Sequence, residues 1–192
     1  MGQLVSVTNV MDKEIKRRIA LAWSKFHSLG YILKDKSLSQ RKKCNVLESR
    51  VTPALLYGCQ SWATAKAQLE RLRIFQRKLE RRILNIRLSD RTSNVDLRKK
   101  TGMQDAAIQA QQLKWRWAGH TIRTHQGRWT YTTTTWDSRE GERNRGRPRC
   151  RWSDDFTRSI GSEWSRIGRN RVLWKNLAKT FHRLKLRGSG RE

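Results

Sequence analysis

Acidic residues are scarce in this chain. Its 192 residues hold 16 Asp and Glu against 43 Lys and Arg, a formal net charge of +27. No tail carries the imbalance. Residues 1–136 have 27 basic and 9 acidic residues, and residues 137–192 have 16 and 7. Charge spread along the whole chain predicts an extended polyanion as partner. Cysteine is also rare. Cys44, Cys59 and Cys150 are far apart and odd in number, with no Cys-x-x-Cys or Cys/His pair at zinc spacing. Neither a disulfide framework nor a zinc finger is expected, and reduced thiols fit a cytosolic or nuclear setting. No apolar run is long enough to span a bilayer. The start lacks the basic and apolar regions of a secretory signal.

Catalytic sets are missing as well. His27, His120, His125 and His182 have no Glu or Cys at ligand spacing. No nucleophile elbow and no glycine-rich phosphate loop occurs. Asp154-Asp155 is the one acidic pair that suggests a metal. Neighbouring side chains on a helix diverge by about 100°, so one ion would not readily take both. A helix start, where carboxylates favour the dipole, is the simpler reading. No active site, metal or cofactor is expected.

What the chain does have is tryptophan and positive charge. Hydrophobic residues make up 36%, enough for a thin core, and the nine tryptophans argue against a disordered basic protein. Nucleic acid fits this balance best, and an anionic membrane surface is the rival partner. Both features meet at Leu113-Lys114-Trp115-Arg116-Trp117-Ala118-Gly119-His120-Thr121-Ile122-Arg123. On a helix starting near Gln104, Ala106, Ala110, Leu113 and Trp117 share one stripe. Ile108, Trp115 and Ile122 fall nearly opposite. Two apolar faces predict a helix packed on both sides. Lys114, Arg116 and Arg123 lie between the faces. Either both tryptophans are core, or one stays exposed beside the cations as a stacking platform for single-stranded nucleic acid.

The rest of the chain reads as helices. Ile15, Ile19, Ala22, Trp23, Phe26 and Leu29 recur at helical spacing after Asp12, a candidate N-cap, and run to Gly30, a candidate stop. Ser37 or Ser39 can cap a second helix through Val46, Leu47, Val51, Leu55 and Leu56, which Pro53 kinks or restarts. The third helix, from about Ala65 to Ile86, carries Leu69, Leu72, Phe75, Leu79, Ile83 and Ile86 on one face. Arg71, Arg73, Arg77, Lys78, Arg81 and Arg82 take up the remainder. Six cations on one helix repel one another, and a phosphate backbone would relieve that. A short helix from Val95 stops at Gly102. The run Thr132 to Thr135 has strand propensity and no evident partner.

Residues 137–151 lack apolar periodicity and read as a basic linker. At its centre, Arg145, Gly146, Arg147, Pro148 and Arg149 contain the Arg-Gly-Arg-Pro core of an AT-hook, which enters narrow minor grooves. Ser153 can cap a following helix anchored by Trp152, Phe156 and Ile160. A last helix, roughly Asn170 to Lys185, carries Leu173, Trp174, Leu177, Phe181 and Leu184. Residues 187–192 read as a polar tail. At the other end, Gly2 to Ser6 matches the pattern for N-myristoylation, and Leu4-Val5-Ser6-Val7 reads equally well as a short strand.

Several segments in order resemble a known family. They are Gly2-Gln3-Leu4-Val5-Ser6, Glu14-Ile15-Lys16-Arg17-Arg18-Ile19-Ala20, Pro53-Ala54-Leu55-Leu56-Tyr57-Gly58, Leu113 to His120, Arg145-Gly146-Arg147-Pro148 and Arg151-Trp152-Ser153-Asp154-Asp155. The series resembles the C-terminal third of endonuclease–reverse transcriptases of LINE-like, non-long-terminal-repeat retrotransposons. That family's catalytic Tyr-x-Asp-Asp hairpin has no counterpart here, since Asp154-Asp155 follows Trp152-Ser153 and opens a helix. The resemblance implies a mostly α fragment: a palm-end strand in 1–10, a helical thumb-like domain in 11–136, the linker 137–151, a helical segment 152–186 and the tail 187–192. It also makes Gly2 internal in the parent, against acylation.

The function so implied is backbone-dominated binding of RNA, DNA or their hybrid, without polymerase or endonuclease activity, small-molecule substrate or membrane. The expected contacts are the six cations of the third helix with Lys114, Arg116, Arg123, Arg145, Arg147 and Arg149. A minor-groove DNA-binding protein built on the hook is the alternative.

Overall fold

A computed structural model describes residues 11–135 and 150–188. The expected N-terminal strand and the linker arginines Arg145, Arg147 and Arg149 lie outside them. Among the described residues the secondary structure is helical, with no strand. No helix there is long and apolar enough to cross a membrane. The chain forms two compact units, Met1–Cys59 with Ala65–Ala110, and Gln60–Thr64 with Gln111–Glu192. The division does not follow the composition break at 137–151. It falls inside a helix, because the tryptophan-rich half of that helix shares its core with the C-terminal helices.

In unit 1, α1 (Met11–Ser28) packs against α4 (Thr52–Leu56) and α5 (Lys66–Leu84), burying Ile15, Ala22 and Phe26. Asp12 lies in the first turn of α1 rather than at a cap, and Gly30 opens the short helix α2 (Gly30–Lys34) instead of ending the run. Ser39 caps α3 (Gln40–Val46) by accepting from the Lys42 amide. The expected second helix passes from α3 through a π-helical turn, Leu47–Val51, into α4. Pro53 is why. It has no amide hydrogen to donate, so the chain restarts a helix with proline in its first turn. Leu47, Val51, Leu55 and Leu56 stay in the core throughout.

Helix α5 buries Leu69, Leu72, Phe75, Leu79 and Ile83. It ends where Asn85 turns left-handed (φ 54°) and the Ile86 amide donates back to Arg81. Helix α6 (Asn94–Thr101) starts at Ser93, whose hydroxyl accepts from the Asp96 amide, and stops at Gly102 (φ 61°), a conformation that favours glycine.

Helix α7 (Ala106–Ile122) contributes residues 106–110 to unit 1 and 111–122 to unit 2. In unit 2 it is followed by α8 (Trp129–Thr135), α9 (Asp154–Ile160), α10 (Trp164–Arg169) and α11 (Arg171–Gly188). The threonine run is helical in α8. The hydroxyls of Thr132 to Thr135 donate to carbonyls three or four residues back, which lets threonine serve in a helix despite its strand propensity. The unit's core is aromatic: Trp115, Phe156, Trp164 and Trp174, with Ala118 and Ile122. Ring centroids lie 4.8 Å apart for Trp115 and Trp174, and 5.0 Å for Phe156 and Trp164. Asn170 caps α11 by accepting from the amides of Val172 and Leu173.

Candidate nucleic-acid interface

The cations of α5 are largely engaged inside unit 1. The organiser is Asp105, a buried carboxylate just before α7. Its Oδ1 accepts from the amides of Ala107 and Ile108, capping the helix. Its Oδ2 lies 3.3 Å from Arg73 Nε, 3.5 Å from Arg77 Nη2 and 3.1 Å from Arg98 Nη2. Arg77 is buried, and burial lowers its pKa, with Arg98 adding to the effect. Glu80, wholly buried, sits 3.8 Å from Arg77 Nη1, and burial raises its pKa despite that neighbour. Gln76 completes the lock: its side chain donates to the Gln104 carbonyl and accepts from the Ala106 amide.

The other four cations are more open. Arg71 pairs with Asp12 at 3.0 Å. The hydrogen bond from Gln68, and then Arg71, hold the Asp12 carboxyl below its ordinary 3.8. Arg81 donates to the Thr92 carbonyl and to Asn94. The Arg82 guanidinium lies 4.9 Å from the Trp23 ring centroid, and both Arg82 and Lys78 are exposed. The mutual repulsion expected along α5 is therefore relieved from within. Arg77 does not reach a solvent-facing surface, and Arg73 is mostly covered.

Lys114 is likewise internal. Its Nζ lies 2.9 Å from Asp155 Oδ2, and both residues are buried. The ammonium also sits 5.4 Å from the Trp152 ring centroid and 5.6 Å from that of Phe156, within cation–π range. Asp154 reaches back to accept from the Arg151 amide at 2.8 Å, and Ser153 makes no side-chain cap. The two adjacent carboxylates thus diverge to separate tasks, as helix geometry requires. Trp152 Nε1 donates to the Gln60 carbonyl, and Trp174 Nε1 to the Trp115 carbonyl. Among the described residues no three His, Cys, Asp or Glu side chains gather as a metal site.

The two tryptophans of α7 part company. Trp115 is in the core, and Trp117 is 37% exposed with Arg116 and His120, also exposed, on the same stretch. Arg123 follows at the helix end, donating to the Gly168 carbonyl at 2.8 Å. Burial, and then neighbouring Arg171, lower its pKa. Around Arg123 and Arg169 runs a cleft of about 540 Å³, which His125 also lines. Among the described residues of unit 2 the carboxylates are Asp154, Asp155 and Glu163. All three are engaged elsewhere: with the Arg151 amide, with Lys114, and with Arg166.

A transposon-derived protein of Caenorhabditis elegans is 32% identical to this chain over 188 residues, covering 91% of the chain and 67% of the worm protein. This chain belongs to that transposon-derived family. No family model and no solved structure matches it.

In this transposon-derived chain the pairing roles of Asp105 and Asp155 were missed by sequence reasoning, and so was the cleft that brings His125 and Arg169 together. Asp105 carried one available signal, a cap-type residue directly before an apolar helix. Its bonds to Arg73 and Arg77 carried none, because those partners lie about thirty positions upstream.

Proposed function

We propose that this chain is the nucleic-acid-gripping portion of a retrotransposon reverse transcriptase, downstream of the catalytic palm, and that it holds phosphate backbones without reading sequence. The transposon-derived relative and the ordered motif series support the origin. The net charge of +27 supports the partner. The observation that carries the reading is the open stretch of α7, where exposed Trp117 stands among Arg116, His120 and Arg123 with all described unit 2 carboxylates engaged elsewhere. Stacking rings beside cations suit single strands, and guanidiniums suit any phosphate backbone. The partner is RNA, DNA or their hybrid, met in nucleus or cytoplasm, and this portion itself performs no polymerisation or cleavage.

The test is binding to an RNA–DNA hybrid, duplex DNA and single-stranded RNA across a salt series. The reading expects all three to bind with affinity falling steeply as salt rises. Weak or salt-insensitive association contradicts it. A strong preference for A·T-rich over G·C-rich duplex, lost in Arg147→Ala, would move the function to the Arg-Gly-Arg-Pro hook.

A further inference from the structure

The cleft in unit 2 is lined by Ile122, Arg123, Thr124, His125, Gln126 and Arg169. Among the described residues, every lining side chain except Ile122 carries a hydrogen-bonding group, two are guanidiniums, and none is a carboxylate. Each arginine is anchored at one point. Arg123 Nη1 donates to the Gly168 carbonyl at 2.8 Å, and Arg169 Nη2 donates to the Tyr131 hydroxyl at 3.4 Å. A guanidinium has five N–H donors, so these anchors fix direction and leave most donors unspent. The Gly127 amide donates to His125 Nδ1 at 3.1 Å, which makes Nε2 the nitrogen that carries the hydrogen in the neutral ring. Carbonyls at a helix end draw cations, and Gly168 accounts for one N–H of Arg123. That attraction does not account for a second guanidinium and an imidazole collected in one cleft with no acid among its described lining residues.

We infer that this cleft is a phosphate-binding site, with Arg123 and Arg169 holding the non-bridging oxygens and Thr124 and His125 supplying neutral donors. The inference rests on the nucleic-acid reading above and names the group that the cleft takes. Two guanidiniums in fixed positions match the planar, multidentate recognition that phosphate favours. Trp129, three residues beyond Gln126, is 83% exposed, and an exposed ring is what a base of a bound strand can stack on. The phosphate is either an internal phosphodiester or a terminal phosphomonoester of the strand.

The full chain and its Arg169→Gln and Lys99→Gln variants are titrated with one short RNA in two forms, 5′-hydroxyl and 5′-phosphate. Arg169→Gln is expected to weaken binding about tenfold, the loss of one charge-assisted contact. Lys99→Gln, exposed on α6, is expected to stay within about twofold, a single screened surface charge. Equal loss for both RNAs assigns an internal phosphate, and loss confined to the 5′-phosphate form assigns a terminal one. Unchanged affinity of Arg169→Gln for both RNAs overturns the site and leaves the nucleic-acid reading standing. If the unaltered chain binds neither RNA, that reading falls, and inorganic phosphate decides the site. A shift of the His125 ring resonances on adding phosphate, absent in Arg169→Gln, keeps it, and no shift ends it. A thermal melt accompanies each variant, and His125→Gln replaces Arg169→Gln if the latter melts early.

Discussion

Helix α5 in unit 1 and the second half of α7 in unit 2 both set cations beside apolar positions, six on α5 and Lys114, Arg116 and Arg123 along and just past the end of α7. They differ in what the arginines meet. Arg73 and Arg77 of α5 converge on the buried Asp105, with Arg98 completing the cluster. Arg116 of α7 meets no such carboxylate, and Arg123, just beyond the helix, is held by a backbone carbonyl. Charge density along a helix therefore does not measure free charge. A single buried acid can take up three guanidiniums, although burial still disfavours the charged form of Arg77. Among the described residues, unit 2 makes the same kind of bond between Lys114 and Asp155, and Asp154 and Glu163 are engaged locally.

The largest effects should come from breaking these internal pairs. Asp105→Ala removes the carboxylate that three arginines share and the cap from α7. It is expected to cost about 3–5 kcal/mol, read by denaturant unfolding. Lys114→Ala should cost a similar amount by leaving Asp155 buried and unpaired. The double variant Lys114→Met, Asp155→Leu should recover most of that loss, which would show the pair to be replaceable by packing. Retention of wild-type stability in either single variant would mean that the pair does not hold its unit together.

Gly119→Ala probes how tightly the aromatic core of unit 2 is filled. An added Cβ there would run into the Trp174 indole. A cost of about 1–3 kcal/mol, with loss of near-ultraviolet dichroism, is expected. The same change at Gly30 in unit 1 meets nothing within 4 Å and should cost no stability.

The smallest effect belongs to Asp12. Its folded pKa is depressed below 3.8 by Gln68 and then Arg71. The stability it adds is present above the unfolded value and is lost as pH falls through the folded one. Both partners are partly exposed, so Asp12→Asn should cost less than about 1 kcal/mol at pH 7 and progressively less as pH falls below 3.8.

The helices were legible because their apolar positions recur at helical spacing, as in Leu69, Leu72, Phe75, Leu79 and Ile83. Punctuation was legible where one residue decides it, as with Ser39 before α3 and Gly102 after α6. The threonine run misled, because side-chain bonds to preceding carbonyls were not visible in its propensity. The two-faced wheel of α7 left open which tryptophan would be exposed; in the structure it is Trp117, with Arg116 and Arg123 exposed as well and Trp115 in the core. Lys114 and Arg77 were misassigned because Asp155 and Asp105 lie far along the chain, beyond any local pairing rule.

The contrast between the two units is tested most directly by the salt dependence of binding to an RNA–DNA hybrid, in the unaltered chain, in Arg73→Gln, and in Arg116→Gln with Arg123→Gln. Each phosphate contact contributes about 0.9 to the slope of log affinity against log salt on a duplex. The account predicts an unchanged slope for Arg73→Gln and a slope smaller by about 1–2 for the unit 2 pair. A loss confined to Arg73→Gln, with the unit 2 pair behaving as the unaltered chain, would contradict it.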